Sequence, residues 1–323
     1  MAATTPLVVL GEVRTCLLPS STALTGAEAC DLLALMPGCT VRWRERPGTL
    51  AVSPTTAVGV DCDLALGEQT AHIVGTVATS AVLSGGRVLQ STACTRVARA
   101  AGRRRQTWSH YLSQKGMTEV ISRIPERATA GAALAEGFLT GRADVDTLDL
   151  ASISERLLTR LRADPRLDQT PPARAGTTRL RWTARIGGSA GPAAALHLDD
   201  ATLRTVRLIV RDEADLDDAQ RFCEDLAAHD WLLTVVTAAL AEAQRFPSHS
   251  RERTDILAPV LEDLAGLWMP GAHTPASMRA LWRELQVDPG LSRQWNALVA
   301  QLQNRIAVAT LNALRHKELD TEW

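Results

Sequence analysis

An α+β fold is predicted by three observations. β-branched residues recur in short extended runs through the first two-thirds of the chain, the apolar period turns helical after residue 211, and the charge balance changes sign at the same place. The 323 residues carry 35 basic and 36 acidic side chains, a net charge of −1. Residues 1–211 hold 25 basic and 18 acidic side chains, or +7, whereas 212–323 hold 10 and 18, or −8. A near-neutral total excludes a globally basic nucleic-acid binder, and 46% hydrophobic with 22% charged residues excludes wholesale disorder. The expected organisation is a mainly antiparallel α+β unit with a few helices at 1–211, then a helical unit of about four helices at 212–323.

The first strand opens at Leu7-Val8-Val9-Leu10 and runs toward Pro19. Thr25 with Glu28 spells a capping box for a helix from Ala27 to Met36, stopped by Pro37-Gly38. Short strands are expected at Val41–Arg44 and Thr49–Val52. Ile73–Leu83 and Arg87–Val97, joined around Ser84-Gly85-Gly86, read as a hairpin. Trp108, Tyr111, Leu112, Val120 and Ile121 are spaced for a helix over Thr107–Ile124, weakened by Gly116, and Ser152 is a cap for the next helix. Asp164–Thr178, with three prolines, reads as a loop. Strands at Thr178–Ile186, Ala193–Leu198 and Thr202–Arg211 follow. Beyond Asp215 the stripe Phe222, Leu226, His229, Leu233, Val236, Leu240 marks a long amphipathic helix, whose acidic opening suits the helix dipole. Helices over Thr254–Trp268 and from Thr274-Pro275 come next, and Asp288-Pro289 would cap the last.

The N-terminus lacks the pattern of an export signal, and the most apolar stretch, Trp231–Ala241, is about half of the ~20 residues of a membrane span. A cytoplasmic protein with no membrane contact is expected, its six cysteines free thiols. No cofactor or metal motif is present. Asp61-Cys62-Asp63 and Asp144, Asp146, Asp149 lack the glycine and distal glutamate of a calcium loop and read as solvated loop carboxylates.

Two weak catalytic sets exist. Gly187-Gly188-Ser189-Ala190-Gly191 matches the nucleophile-elbow pattern, with Asp212 or Asp225 and then His229 downstream, but no room follows for its helix, so a hairpin loop is the simpler reading. Cys223 and His229 share one helix, yet six residues separate them by about 9 Å along the axis, too far for direct proton transfer. His229 in the apolar stripe, four residues from Asp225, reads better as a buried, Asp-paired structural histidine. Arg96, Arg99, Arg103, Arg104 and Arg105, followed by Trp108, His110 and Tyr111, form the strongest basic cluster. They suit an acidic protein surface, the acidic half of the chain, or a polyanion. Five of eight tryptophans, including terminal Trp323, lie in the last third, and Trp323 hints at an interface.

Leu7–Thr15 (LVVLGEVRT) and Phe222–Thr234 (FCEDLAAHDWLLT) resemble a family of conserved actinobacterial proteins, of the Streptomyces type, that has no assigned activity. The arginine-rich composition fits such a source. The resemblance implies membership of a multi-protein system alongside P-loop-like and methyltransferase-like neighbours. The expected role is therefore a non-enzymatic protein-interaction or scaffold component, with a homo-oligomer among its forms. The alternatives are a hydrolase using Ser189 or Cys223/His229, and a nucleic-acid or polyanion binder using Arg103–Arg105.

Overall fold

The computed structural model describes residues 5–66, 69–102, 104–122, 124, 127–141, 144, 146–187, 191–247 and 250–321. A ten-stranded mixed sheet forms its middle layer. The strands are β1 (Val8–Leu17), β2 (Arg42–Arg44), β3 (Leu50–Val52), β4 (Thr56–Leu66), β5 (Gln69–Ser84), β6 (Val88–Arg99), β7 (Met117–Val120), β8 (Thr178–Ile186), β9 (Ala193–Leu198) and β10 (Leu203–Val210). Their order is β2-β3-β5-β7-β6-β1-β8-β10-β9, with β4 beside β3 on the outer side of β5. The pairs β8–β10 and β6–β7 are parallel and the others antiparallel.

The Gly-Gly hairpin forms as the sequence predicts, with Gly85 at φ 60° and Gly86 at φ 65°, a geometry that glycine adopts without steric cost. Its strands pair from Ser84↔Val88 out to Ala78↔Cys94 and then diverge around β7. This overturns the continuous helix expected over Thr107–Ile124. Only α2 (Trp108–Leu112) is helical there, Gly116 turns the chain at φ 75°, and Met117–Val120 becomes β7. A side chain at Gly75 would collide with the β7 backbone, so glycine lets β7 approach.

Helices α1 (Gly26–Leu32), α3 (Arg127–Thr140) and α4 (Leu150–Arg162) cover one face of the sheet. Thr25 and Glu28 make the expected capping box, whereas α4 is capped by Asp149 and not by Ser152, its third residue. The opposite face carries α5 (Glu213–Ala243), with α6 (Arg251–Leu264), α7 (Arg279–Val287) and α8 (Leu291–Thr321) packed outside it. Asp212 caps α5. Asp288-Pro289 precedes α8 without capping it, because the helix begins two residues later. The change to helical structure at residue 212 falls at the β10–α5 turn, and one hydrophobic cluster spans it, from Val13 and Trp182 on the sheet to Phe222, Trp231 and Trp282 on the helices. α5 has the length and apolarity of a membrane span, and 67% of that stretch is buried within the protein's own core.

The charge division is answered across the same boundary. Arg87 meets Asp263 at 2.5 Å, Arg204 meets Asp230 at 2.9 Å, Arg174 meets Glu242 at 3.5 Å, and Arg96 pairs with Asp217. Among the described residues, every arginine–carboxylate pair that crosses residue 211 has its arginine before the boundary and its carboxylate after it.

Candidate functional site

The polar cleft lies where the sheet face beneath α5 changes character. On β1 and β8 that face is apolar, with Val9, Val13, Leu180 and Trp182. On β6 the side chains turned toward α5 are Val88, Gln90, Thr92, Cys94 and Arg96, and β5 adds Ser80 and Ser84. Opposite them α5 presents Asp217, Gln220, Arg221, Glu224 and Ala228, a polar stripe beside its apolar one. The edge strand β2 closes the side, placing Arg42 and Arg44 in the cleft while Trp43 packs toward α1. The cavity measures about 460 Å³, within the range of small-molecule sites.

Its floor is a hydrogen-bonded network. Thr92 Oγ1 and Gln220 Nε2 each donate to Glu224 Oε1 at 2.8 Å, and Gln220 Nε2 also donates to Ser80 Oγ at 3.1 Å. Gln90 Nε2 donates to Thr15 Oγ1 at 3.0 Å and to the Glu224 carbonyl at 2.8 Å. Glu224 is 8% exposed. Burial raises its carboxyl above the ordinary range, while Gln220, Thr92 and the Arg221 and Arg42 guanidiniums pull against that rise.

A second polar group adjoins the cleft. His229 Nε2 accepts the Met269 N–H at 3.1 Å, so Nδ1 carries the proton and faces Asp225, 2.6 Å from its carbonyl and 3.3 Å from Oδ1. Thr274 donates to Asp225 Oδ2 at 2.7 Å. Burial works to raise Asp225, but the bonds from His229 and Thr274 outweigh it and hold the carboxyl below its usual range. Trp268 and Trp282 stand edge-on to the His229 ring, and Trp268 stacks on Trp295 at 4.6 Å. His273 lines the cleft and receives a hydrogen bond from Arg44; burial pushes its pKa down to about 4, with Asp225 opposing and Arg44 assisting.

The structure thus joins Asp225 and His229, and leaves Cys223 apart from them in the core, its thiol raised well above the ordinary value by burial. Ser189, Arg103 and Trp323 lie outside the described residues. Arg104 is exposed; Arg105 pairs with Asp61 at 2.8 Å and lies over the Trp108 ring at 5.2 Å. Asp61 and Asp63 are strand residues of β4 and not loop carboxylates. They flank His72 of β5 at 3.0 and 2.8 Å, and the Asp63 bond leads in raising the imidazole pKa. Sequence reading missed Glu224, Arg42, Arg44 and Arg221. Their signal was the polar alternation Gln90, Thr92, Cys94, Arg96 in a strand that reads as buried. Compared with known proteins, the chain matches no family model, no curated protein and no solved structure.

Proposed function

We propose that the protein works by binding and not by turnover. In this reading it is a non-enzymatic protein-interaction or scaffold component of a cytoplasmic bacterial multi-protein system, with the cleft over Glu224 as its small-ligand site. The observation that carries the reading is the cleft itself, three guanidiniums around a polar floor in about 460 Å³. Against a hydrolase of the Cys223/His229 type, both ring nitrogens of His229 are engaged, by Asp225 and the Met269 N–H, and the Cys223 thiol is buried and protonated. Against a polyanion groove, Arg96 and Arg105 are held by Asp217 and Asp61. Leu198 on the edge strand β9 and Val308 and Leu311 on α8 are exposed apolar side chains on surfaces suited to a protein partner.

The test is isolation of the tagged chain at low salt from an actinobacterial host, followed by native mass spectrometry. P-loop-like and methyltransferase-like neighbours are the first partners to co-express. An assembly of defined stoichiometry, hetero- or homo-oligomeric, is expected. A monomer with no partner at low salt would sink the scaffold role.

A further inference from the structure

We infer that the cleft is built for a small zwitterion, its anionic group at an arginine mouth and its ammonium at the Glu224 floor. The inference deepens the binding role proposed above and rests on it. Charge in the cleft is sorted by depth. Arg42 and Arg44, two residues apart on one face of β2, are exposed, and Arg221 across the cleft is 55% exposed and paired with Asp218 at 2.8 Å. Asp217, a carboxylate on this rim, is engaged by Arg96 and Asp218 is engaged by Arg221, so the excess positive charge of the mouth rests on Arg42 and Arg44. Glu224, at 8% exposure, lies at the bottom.

The floor offers acceptors. Both of the donors that reach Glu224 enter through Oε1, from Thr92 and Gln220. Oε2 has no protein donor and no cation within ion-pair distance among the described residues. Gln90 spends its amide hydrogens on Thr15 and the Glu224 carbonyl, and its Oε1 likewise has no protein donor there. A nearly buried carboxylate with one free oxygen, beside a free amide oxygen, suits a group that brings several N–H bonds and a positive charge. Arg221 and Arg42 influence Glu224 through space without bonding it, which leaves room for a ligand between the two layers.

The anion recognised by guanidinium is a carboxylate or a phosphate, and two sets of matched probes separate these sources. The first set is 4-aminobutyrate, butyrate and butylamine; the second is phosphoethanolamine, inorganic phosphate and ethanolamine. Calorimetric titration of the full chain is expected to show one zwitterion binding about tenfold or more tightly than either of its singly charged halves, the worth of one added charge-assisted bond. Glu224→Gln keeps the acceptor for Thr92 and Gln220, and it should erase that advantage without weakening the anion alone. Arg42→Gln, at an exposed position, should weaken both the zwitterion and the anion, and it keeps the test open if E224Q fails to fold. A wild-type protein that binds the anion as tightly as the zwitterion, or an E224Q variant that keeps the advantage, overturns the zwitterion and leaves an anion-binding role standing. Absence of binding by every probe up to about 10 mM, weaker than any affinity worth ~3 kcal/mol, overturns the ligand site altogether. The partner experiment decides the scaffold role independently.

Discussion

Removing one member of the Arg204–Asp230 pair should destabilise the protein more than any other single break in the charges that cross residue 211. The two side chains are 6% and 8% exposed, and Arg204 Nε meets Asp230 Oδ2 at 2.9 Å. Arg204 also donates to Thr234 Oγ1 at 3.0 Å, tying β10 to α5 through two bonds, and to the Asp200 carbonyl of the β9–β10 turn at 2.7 Å. Burial raises Asp230 above the ordinary carboxyl range, and Arg204 opposes that rise. Arg204→Met keeps the stem volume but strands the carboxylate, a cost of about 3–5 kcal/mol for a broken buried pair. Arg204→Met/Asp230→Leu removes both charges and should recover most of the loss, to within about 2 kcal/mol of the wild type. Arg174→Ala sets the scale from the other side: Arg174 is 91% exposed and 3.5 Å from Glu242, so its loss should cost under about 0.5 kcal/mol. Urea unfolding, run at low salt and at about 0.5 M salt, measures all four proteins. The Arg204→Met deficit should survive the added salt, because buried pairs are little screened. A deficit below about 1 kcal/mol, or a double variant no more stable than Arg204→Met alone, refutes the view that the +7 and −8 halves are joined by a buried ionic contact.

Gly11→Ala on β1 should lower stability by about 1–3 kcal/mol, because a Cβ there falls inside the buried Trp182 indole across the β1–β8 pair; thermal melting checks it, and Trp182→Leu in the same chain should recover part of the loss. His273 has an ordinary pKa of 6.5 when unfolded and about 4 when folded, so the unfolded chain binds the extra proton between those values. Its contribution is therefore complete above pH 6.5 and lost as pH falls toward 4; discounted for partial exposure it amounts to about 2 kcal/mol. An NMR titration of the imidazole with a midpoint near 6.5 would contradict it. Thiol labelling of the native protein should modify exposed Cys39 and spare buried Cys16 and Cys223 until urea unfolds the chain.

What could be read from the sequence was written in local chemistry. Gly85-Gly86 demands a tight turn whatever surrounds it, and Thr25 and Glu28 cap each other. What could not be read depends on distant partners. Met117–Val120 becomes a strand because β5 and β6 part to admit it, a gap no local window contains. α3 was missed because Gly131 and Gly137 weaken its helical signal, yet those glycines let it press on the backbone at Leu7 and Ala65. β4 alternates Val58, Val60, Cys62, Leu64 and Leu66, but Asp61 and Asp63 looked like a loop until His72 stood opposite them. The two-unit reading located the β10–α5 turn from charge and period. The shared core under α5 was beyond it, since Val13, Trp182 and Phe222 lie far apart in the chain.

The same distinction explains why the cleft escaped notice and what its floor is suited to hold. On β6, Gln90, Thr92, Cys94 and Arg96 alternate with Leu89, Ser91, Ala93 and Thr95, so neither face is wholly apolar and the strand reads only as buried. Once β6 is paired, its polar face meets the polar stripe of α5, and Glu224 lands between two layers with one oxygen satisfied and one open. A leucine at 224 would fill such a space without the desolvation that raises the Glu224 carboxyl. Packing alone does not call for the carboxylate, nor for Ser80, Gln90 and Thr92 gathered beneath it. At the rim Arg221 is met by Asp218, whereas Arg42 and Arg44 add charge that the floor does not neutralise. A ligand with opposite charges at its two ends satisfies the open oxygen and the rim together, and a stability role for the same residues accounts for neither.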